Sequence, residues 1–439
     1  MVNAFLFAAF SARWVQWAKD RVLSGPIERV LSIGPPFDQD DRYGRCGQGM
    51  TGDAYLDNAA TTKPDPRVVE TVCTVMQDGF GNASAEHARG RRARTLLERS
   101  RQTIADALDV RASEVYFTSG GTESNNLAIA GSCRACRDER TEIVTSSLEH
   151  ASVTKTVRGL KREGWPVHYV PARDGVYASD ELAGFLSDRT ALVTTMLVQN
   201  EMGYVLPLEE IVATRDRLAP QALVHTDAVQ AFGKIRFKPQ ELGVDLASVS
   251  GHKIGGPQGI GALYVKTGTN MFTTAFGGGQ ERGLRSGTEA LPLIAGFAKA
   301  VDISLGQREE AFSRVLGLKR SLLDGILALK PETRVNSRDD GSPYIVSVSI
   351  PGLDNTAMVS FLSERGVFIS KASACETLHP DVPPEDWRAK HPLSLHLAGV
   401  PHALVDSTLR MSFSQRSTER DVAAFLDGFT AYFCQVGQG

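Results

Sequence analysis

The chain has 439 residues, more than one hydrophobic core usually organises, so two domains are the expectation. An apolar content of 42%, a charged content of 23% and a net charge of −3 with interspersed signs belong to a soluble globular protein, and they give no electrostatic reason for a nucleic-acid or membrane partner. Six cysteines in this length are no disulfide framework; a reducing, cytoplasmic setting is expected.

No run of the sequence approaches the roughly 20 apolar residues that span a bilayer. Ala4 to Ala12 is apolar, but no Lys or Arg precedes it, as a signal peptide would require. Asp20, Glu28, Asp38, Asp40 and Asp41 speak against a transit peptide. Residues 1–52 therefore read as an N-terminal extension, or as the product of an upstream start, since Met50 stands just before the first recognisable motif.

From about residue 64 to 310, apolar β-branched runs alternate with helical stretches. The strands expected are Glu114–Thr118, Glu142–Thr145, Val167–Val170, Ala191–Leu197, Ala222–His225, Leu246–Ser248 and Ala262–Val265. Thr122–Arg137, Ala151–Glu163 and Leu208–Leu218 read as helices between them. This alternation implies a mainly parallel seven-stranded sheet covered on both faces. A long helical pattern follows at 289–328. Then come a strand at Tyr344–Ile350, a helix at Asn355–Arg365, a strand at Val367–Ser370, an aperiodic stretch at 376–407, a strand at Thr408–Ser412 and a closing helix from Thr418 to Phe433. This second half reads as a smaller α+β domain.

In α/β sheets, ligands bind beyond the C-terminal strand ends. Three strand ends carry chemistry. Ser119-Gly120-Gly121-Thr122-Glu123-Ser124-Asn125-Asn126 opens a helix with small residues, which makes either an anion cradle or an ordinary strand–helix turn with a Thr cap. Asp227 follows the Ala222–His225 run; it is either a cap or a carboxylate set against a cationic ring nitrogen. Ser250-Gly251-His252-Lys253-Ile254-Gly255-Gly256-Pro257 places a lysine among glycines just past a buried strand, where desolvation favours the free amine, unless the segment is simply a basic Gly-rich turn. Phosphate cradle, ring-nitrogen acid and amine, in that order on successive strand ends, are what pyridoxal 5'-phosphate (PLP) requires.

Five motifs carry a resemblance. Tyr55-Leu56-Asp57-Asn58-Ala59-Ala60-Thr61-Thr62, Phe117 to Asn126, Val198-Gln199-Asn200-Glu201-Met202-Gly203, Ser250-Gly251-His252-Lys253 and Arg285-Ser286-Gly287-Thr288 resemble cysteine desulfurases of the NifS/IscS type. These are PLP enzymes of fold type I in the class-V aminotransferase group, and the likeness runs from about residue 54 to 430. The resemblance implies an α/β fold. Residues 64–310 would form the PLP-binding large domain, and 53–63 with 311–439 a small domain bearing the catalytic cysteine loop.

It also implies roles. Lys253 would hold the cofactor as a Schiff base, Asp227 would pair with the pyridine nitrogen, and Gln230 would touch the ring oxygen. His150, in Ser147-Leu148-Glu149-His150, would stack on the ring and move protons. Gly121, Thr122, Ser250 and His252 would hold the phosphate. Thr288 would reach the phosphate of the partner subunit, which implies a homodimer. Asn200 would border the cofactor and, with Arg410, clamp the substrate carboxylate.

Among the cysteines, Cys73 and Cys434 fall in helical patterns and read as core or inert, Cys46 lies in the extension, and the Cys133/Cys136 pair has no further ligands for a metal. Cys375, in Ser370-Lys371-Ala372-Ser373-Ala374-Cys375, matches the family's mobile catalytic loop, of the kind with a long following segment. Lys371 and Ala372 stand where the family usually has Ser and Gly; losing Gly restricts the loop, or Lys371 favours the thiolate. The implied reaction converts L-cysteine to L-alanine and leaves a persulfide on Cys375. That persulfide passes to a sulfur-acceptor protein, either an iron–sulfur scaffold or a tRNA-thiolation relay. Two other readings remain. One is a selenocysteine lyase or an aminotransferase, the latter with no need of Cys375. The other is a non-enzymatic scaffold, against which Lys253, Asp227 and His150 speak.

Overall fold

The computed structural model describes residues 53–136, 140–173, 176–371 and 393–436. The extension 1–52 and Cys375 lie outside them. Among the described residues, no helix is long and apolar enough to cross a membrane.

The β-branched runs become buried strands. In chain order, β1 is Ala54–Tyr55, β2 Val115–Thr118, β3 Glu142–Ser146, β4 Val167–Val170, β5 Thr190–Met196, β6 Leu223–Asp227, β7 Leu246–Ser250 and β8 Gly261–Val265. Strand β5 (TALVTTM) is buried at every position, as a strand covered on both faces must be. Strands β2 to β8 form one seven-stranded sheet in the order β2-β8-β7-β6-β5-β3-β4. It is mixed: β8 runs antiparallel to both β2 and β7, while the other pairs are parallel. The connection from β7 to β8 is a short glycine-containing turn with no crossover helix, so antiparallel pairing follows.

Helices cover this sheet. The first, α1 (Pro66–Gln77), starts where Asp65 accepts from the Arg67 N–H at 2.9 Å and Pro66 occupies the first turn. Then come α2 (Ala88–Leu108), α3 (Gly121–Ala135), α4 (Ala151–Arg162) and α5 (Leu208–Leu218). The long helical pattern at 289–328 is in fact two helices, α6 (Leu291–Gly306) and α7 (Arg308–Leu329), joined at Gln307.

A second, antiparallel sheet is built from β9 (Arg334–Val335), β10 (Ile345–Ser349), β12 (Ser370–Lys371) and β13 (Thr408–Ser412), in the order β9-β10-β13-β12. The expected strand Val367–Ser370 divides. Val367–Phe368 (β11) pairs parallel with β1, while Ser370–Lys371 pairs with β13. Helix α8 (Asn355–Ser363) and the closing helix α10 (Glu419–Val436) pack here around Phe413, Phe425 and Phe429. The stretch expected to be aperiodic holds a short helix, α9 (Leu393–Leu397), and a 3-10 turn at His402–Ser407. Cys73 and Cys434 are exposed, not core. Cys133 is buried, which pushes its thiol up to about 12.

Polar groups inside the large sheet fix its geometry. Arg101 and Glu281 form a buried bidentate pair at 2.7 and 2.9 Å, and Glu281 also accepts from the Phe117 N–H. His225, wholly buried in β6, spans its neighbours: Nδ1 meets Thr194 Oγ1 at 2.8 Å and Nε2 meets Ser248 Oγ at 3.0 Å. Burial pushes this imidazole down to about 3.

An unfolded histidine takes its proton near pH 6.5, so stability is lost as the pH falls below that value, and the loss continues down to about pH 3. At pH 5 this one group costs about 2 kcal/mol. The variant His225→Gln should shed that dependence. Its unfolding free energy, from urea titrations between pH 6.5 and 4, should fall less steeply than the parent's by about one proton. Parallel slopes would refute the assignment.

Candidate active site

The ends of β2, β6 and β7 open on one cavity of about 280 Å³. Gly121, Thr122, His150, Asn200, Asp227, Gln230, Ser250, His252, Lys253 and Arg410 all line it, so ten residues singled out in the sequence converge. Thr288 does not line it and stands exposed on its own segment.

At the end of β2 the backbone turns sharply. Gly120 has φ 147°, in the region that favours glycine, and Gly121 begins α3. A Cβ on Gly121 would meet Val229 Cγ2 at 2.7 Å, so only glycine leaves room there. The first N–H groups of α3 have no helical partner, and the helix dipole adds positive potential. Beside them Ser250 Oγ is buried with no hydrogen-bond partner among the described residues. An unsatisfied buried hydroxyl and a glycine cradle at a helix start together fit an oxyanion such as phosphate.

Asp227 ends β6 and is 5% exposed. Its Oδ1 accepts from the Val229 N–H at 3.0 Å, and its Oδ2 accepts from Asn125 Nδ2 at 2.7 Å. The same Asn125 amide donates to Ser152 Oγ, and that hydroxyl lies 2.8 Å from His150 Nδ1. His150 caps α4, accepting from the Ser152 N–H at 3.1 Å. Burial holds this imidazole below its usual range; Asp227 counters that effect and Lys253 reinforces it. The ring is therefore neutral near pH 7, with Nδ1 as acceptor and the proton on Nε2. Buried Glu149, next in sequence, is pushed well up by desolvation, with Asp227 adding to the effect.

Lys253 lies on the turn after β7. Its Nζ donates to the carbonyls of Ala59 and Ala60, each at 2.6 Å. His252 Nδ1 meets Thr61 Oγ1 at 3.1 Å, and desolvation with the neighbouring lysines pushes it down to about 4. Gln230 has both amide ends engaged: Nε2 donates to the Ala59 carbonyl, and Oε1 accepts from Lys234, each at 2.9 Å. Arg410, on β13, enters from the second sheet. Its Nη2 donates to Asp57 Oδ1 at 2.9 Å and its Nη1 to the Asn200 carbonyl at 3.1 Å, while its buried Nε has no partner among the described residues.

Sequence reasoning gave no role to Asn125, Ser152, Asp57 or Lys234. Asn125 was legible in part, because it lies four residues after Gly121 on the same helix face. Asp57 forms a single-residue bridge with Ser412 and Lys234 lies in a turn, and neither has a periodic signal.

A phosphate-shaped cradle, a buried carboxylate and an amine, at three ends of a seven-stranded α/β sheet, define a PLP enzyme of fold type I. The aminotransferase class-V family model matches residues 54–425, and the chain belongs to that PLP-dependent family. It is 36% identical over 377 residues to cysteine desulfurase IscS of Methanosarcina thermophila, covering 85% of this chain and 90% of that one. It is 39% identical over 381 residues to the NifS/IcsS protein homolog of Lactobacillus delbrueckii subsp. bulgaricus, covering 85% and 96%. Among solved structures, a NifS-like protein superposes with a TM-score of 0.80 at 32% identity, covering 87% of this chain and all of that one. SspA in complex with cysteine does so with a TM-score of 0.70 at 31% identity, covering 83% and 100%.

The cradle makes a testable demand. Gly121→Ala puts a methyl against Val229, an overpacking cost of about 1–3 kcal/mol. Cofactor affinity, read by equilibrium dialysis of PLP, should fall roughly tenfold to a hundredfold. Unchanged affinity would mean that the phosphate binds elsewhere.

Proposed function

We infer that this chain is a PLP-dependent cysteine desulfurase: it converts L-cysteine to L-alanine and moves the sulfur to a thiol of its own, Cys375. The observation that carries this reading is the convergence of Lys253, Asp227 and the Gly121 cradle on one cavity that Arg410 also enters.

PLP, when bound, offers an aldehyde to primary amines and draws electrons away from the substrate α-carbon. The chain's own groups do the rest. The N–H groups at Gly121 and Thr122, with Ser250 and His252, hold the phosphate. Asp227 keeps a proton on the ring nitrogen, and its own orientation is fixed by Asn125 and the Val229 N–H. Gln230 would serve the ring oxygen. His150 would stand against the ring and, being neutral, could pass a proton through Nε2. Asn200 and Arg410 orient the substrate carboxylate. Lys253 Nζ removes the α-proton.

Cys375 Sγ, as a thiolate, then attacks the substrate sulfur. An S–S bond forms, the carbon–sulfur bond breaks, the β-carbon gains a proton and the α-carbon regains the one that Lys253 took. Cysteine and one enzyme thiol thus become alanine and one enzyme persulfide, with no outside oxidant. One contact and one length of chain bear on how Cys375 reaches the cavity. Ser370 is paired in register with Arg410, so the sequence before Cys375 is anchored beside the carboxylate-binding fork. Cys375 stands four positions after Lys371 in the sequence, a reach of at most ~14 Å. The persulfide then passes to a cytoplasmic acceptor protein, either an iron–sulfur scaffold or a tRNA-thiolation relay. Thr288, exposed and away from its own cavity, suits a homodimer in which it reaches the partner's phosphate.

Incubation with L-cysteine, PLP and reductant should yield alanine and sulfide in step, and Cys375→Ala should abolish both. Full sulfide release by that variant would overturn the sulfur-transfer role. Lys253→Ala should lose the visible absorbance of lysine-bound PLP; an unchanged spectrum would sink that assignment.

Asp57→Asn removes the carboxylate that aims Arg410. The KM for cysteine should rise about tenfold, as loss of a charged hydrogen bond worth 1.5–3 kcal/mol predicts, with kcat nearly unchanged. A fall in kcat at constant KM would place Asp57 elsewhere in the reaction.

A further inference from the structure

Seven residues past Asp227, Lys234 is a lysine with no place in the reaction so far, yet it is only 3% exposed. Its Nζ donates to Gln230 Oε1 at 2.9 Å. A lysine only donates, so the Gln230 amide must turn its oxygen this way and its nitrogen toward the Ala59 carbonyl. That nitrogen reaches Ala59 O at 2.9 Å, and Lys253 Nζ reaches the same oxygen at 2.6 Å. The two amines are therefore joined through one amide and one carbonyl.

The surroundings of Lys234 are unusual for an ammonium. No carboxylate among the described residues pairs with it. The groups that face it are Lys253, Arg410 and His252, and the ring of Tyr344 lies 5.8 Å from its Nζ. Lys234 and Lys253 also line the same small cavity, of about 30 Å³, with room for one water. Lys63, Asp65 and Arg416 face that cavity too, and Asp65 is already paired with Arg67.

We propose that Lys234 is a positioning residue for Lys253: through Gln230 and the Ala59 carbonyl it fixes where the Lys253 amine stands, and its charge opposes conversion of that amine to an ammonium. The inference rests on the reading of Lys253 as the lysine that holds PLP. Burial pushes Lys234 down to about 7, with Lys253 and Arg410 adding to the effect. The charge is thus fully present below that pH and fades above it.

Competitive labelling of the PLP-free full chain with acetic anhydride, with the Lys253 peptide quantified by mass spectrometry across pH 5–10, tests this directly. Lys234→Met should raise the pH at which the Lys253 amine becomes reactive, so that labelling near pH 6.5, where Lys234 still carries its charge, falls several-fold, up to about tenfold. Lys234→Arg keeps the charge and a donor, and should restore the parent curve. Lys234→Gln removes the charge but can still donate; it carries the same test if the methionine variant does not fold. A Lys253 titration unmoved in both neutral variants overturns the proposal. Added PLP separates the two levels of argument. If PLP protects Lys253 from labelling while the neutral variants change nothing, this inference alone fails. If PLP never protects Lys253, the reading of the site fails.

Discussion

The site depends on how the backbone of residues 57–62 is held. This short run lies between the two sheets and is gripped from both. On one side Asn58 Nδ2 donates to the Ser412 carbonyl at 2.9 Å, and the Ala59 N–H donates to Ser412 Oγ at 2.8 Å. On the other, the Thr62 N–H donates to the His252 carbonyl, and the Ala59 and Ala60 carbonyls receive Lys253. Buried backbone groups must find partners, so these bonds are a constraint on where the elements stand. Shifting the run would unseat Lys253 from the first sheet and Arg410, through Asp57, from the second. The distance between the amine and the guanidinium is thereby set by main chain, which does not change rotamer.

Around this strap, electrostatics sort the titratable groups into opposite tasks. Asp227 is buried but each of its oxygens receives a donor, whereas Glu149, with one oxygen unpartnered among the described residues, is driven toward its neutral form by desolvation. His150 and His252 are kept neutral by desolvation and by nearby positive charge. With both rings neutral, the positive potential facing an anionic cofactor and a carboxylate substrate comes from the Arg410 guanidinium and the N-terminal end of α3.

Much of this was legible in the sequence, for identifiable reasons. Strand ends bearing Gly121, Asp227 and Lys253 announce themselves because small or charged residues interrupt β-branched runs, and all three do meet in one cavity. The antiparallel direction of β8 was hidden. A strand buried on both faces reads the same in either direction, and only the lack of an intervening helix betrays it. The run at 367–371 looks like one strand, yet it serves two sheets, because pairing partners are chosen by tertiary contacts that no periodicity records. Lys234 was invisible for a related reason: a lysine in a turn reads as solvated, and only the folded chain shows it enclosed.

The second sheet gives the arrangement its direction. Strand β13 places Arg410 opposite Ser370, five residues before Cys375 in the sequence. Where the described chain resumes, Ser394 is buried and its hydroxyl donates to the carboxylate of Glu201, the neighbour of Asn200. Both roots of the segment are therefore moored at the side of the cavity where Asn200 and Arg410 stand. Asn200 and Arg410, the latter carried by the second sheet, and Lys253, fixed by the Ala59 and Ala60 carbonyls, therefore line one cavity from different elements, and the strap at 57–62 that touches both Arg410 and Lys253 sets their spacing.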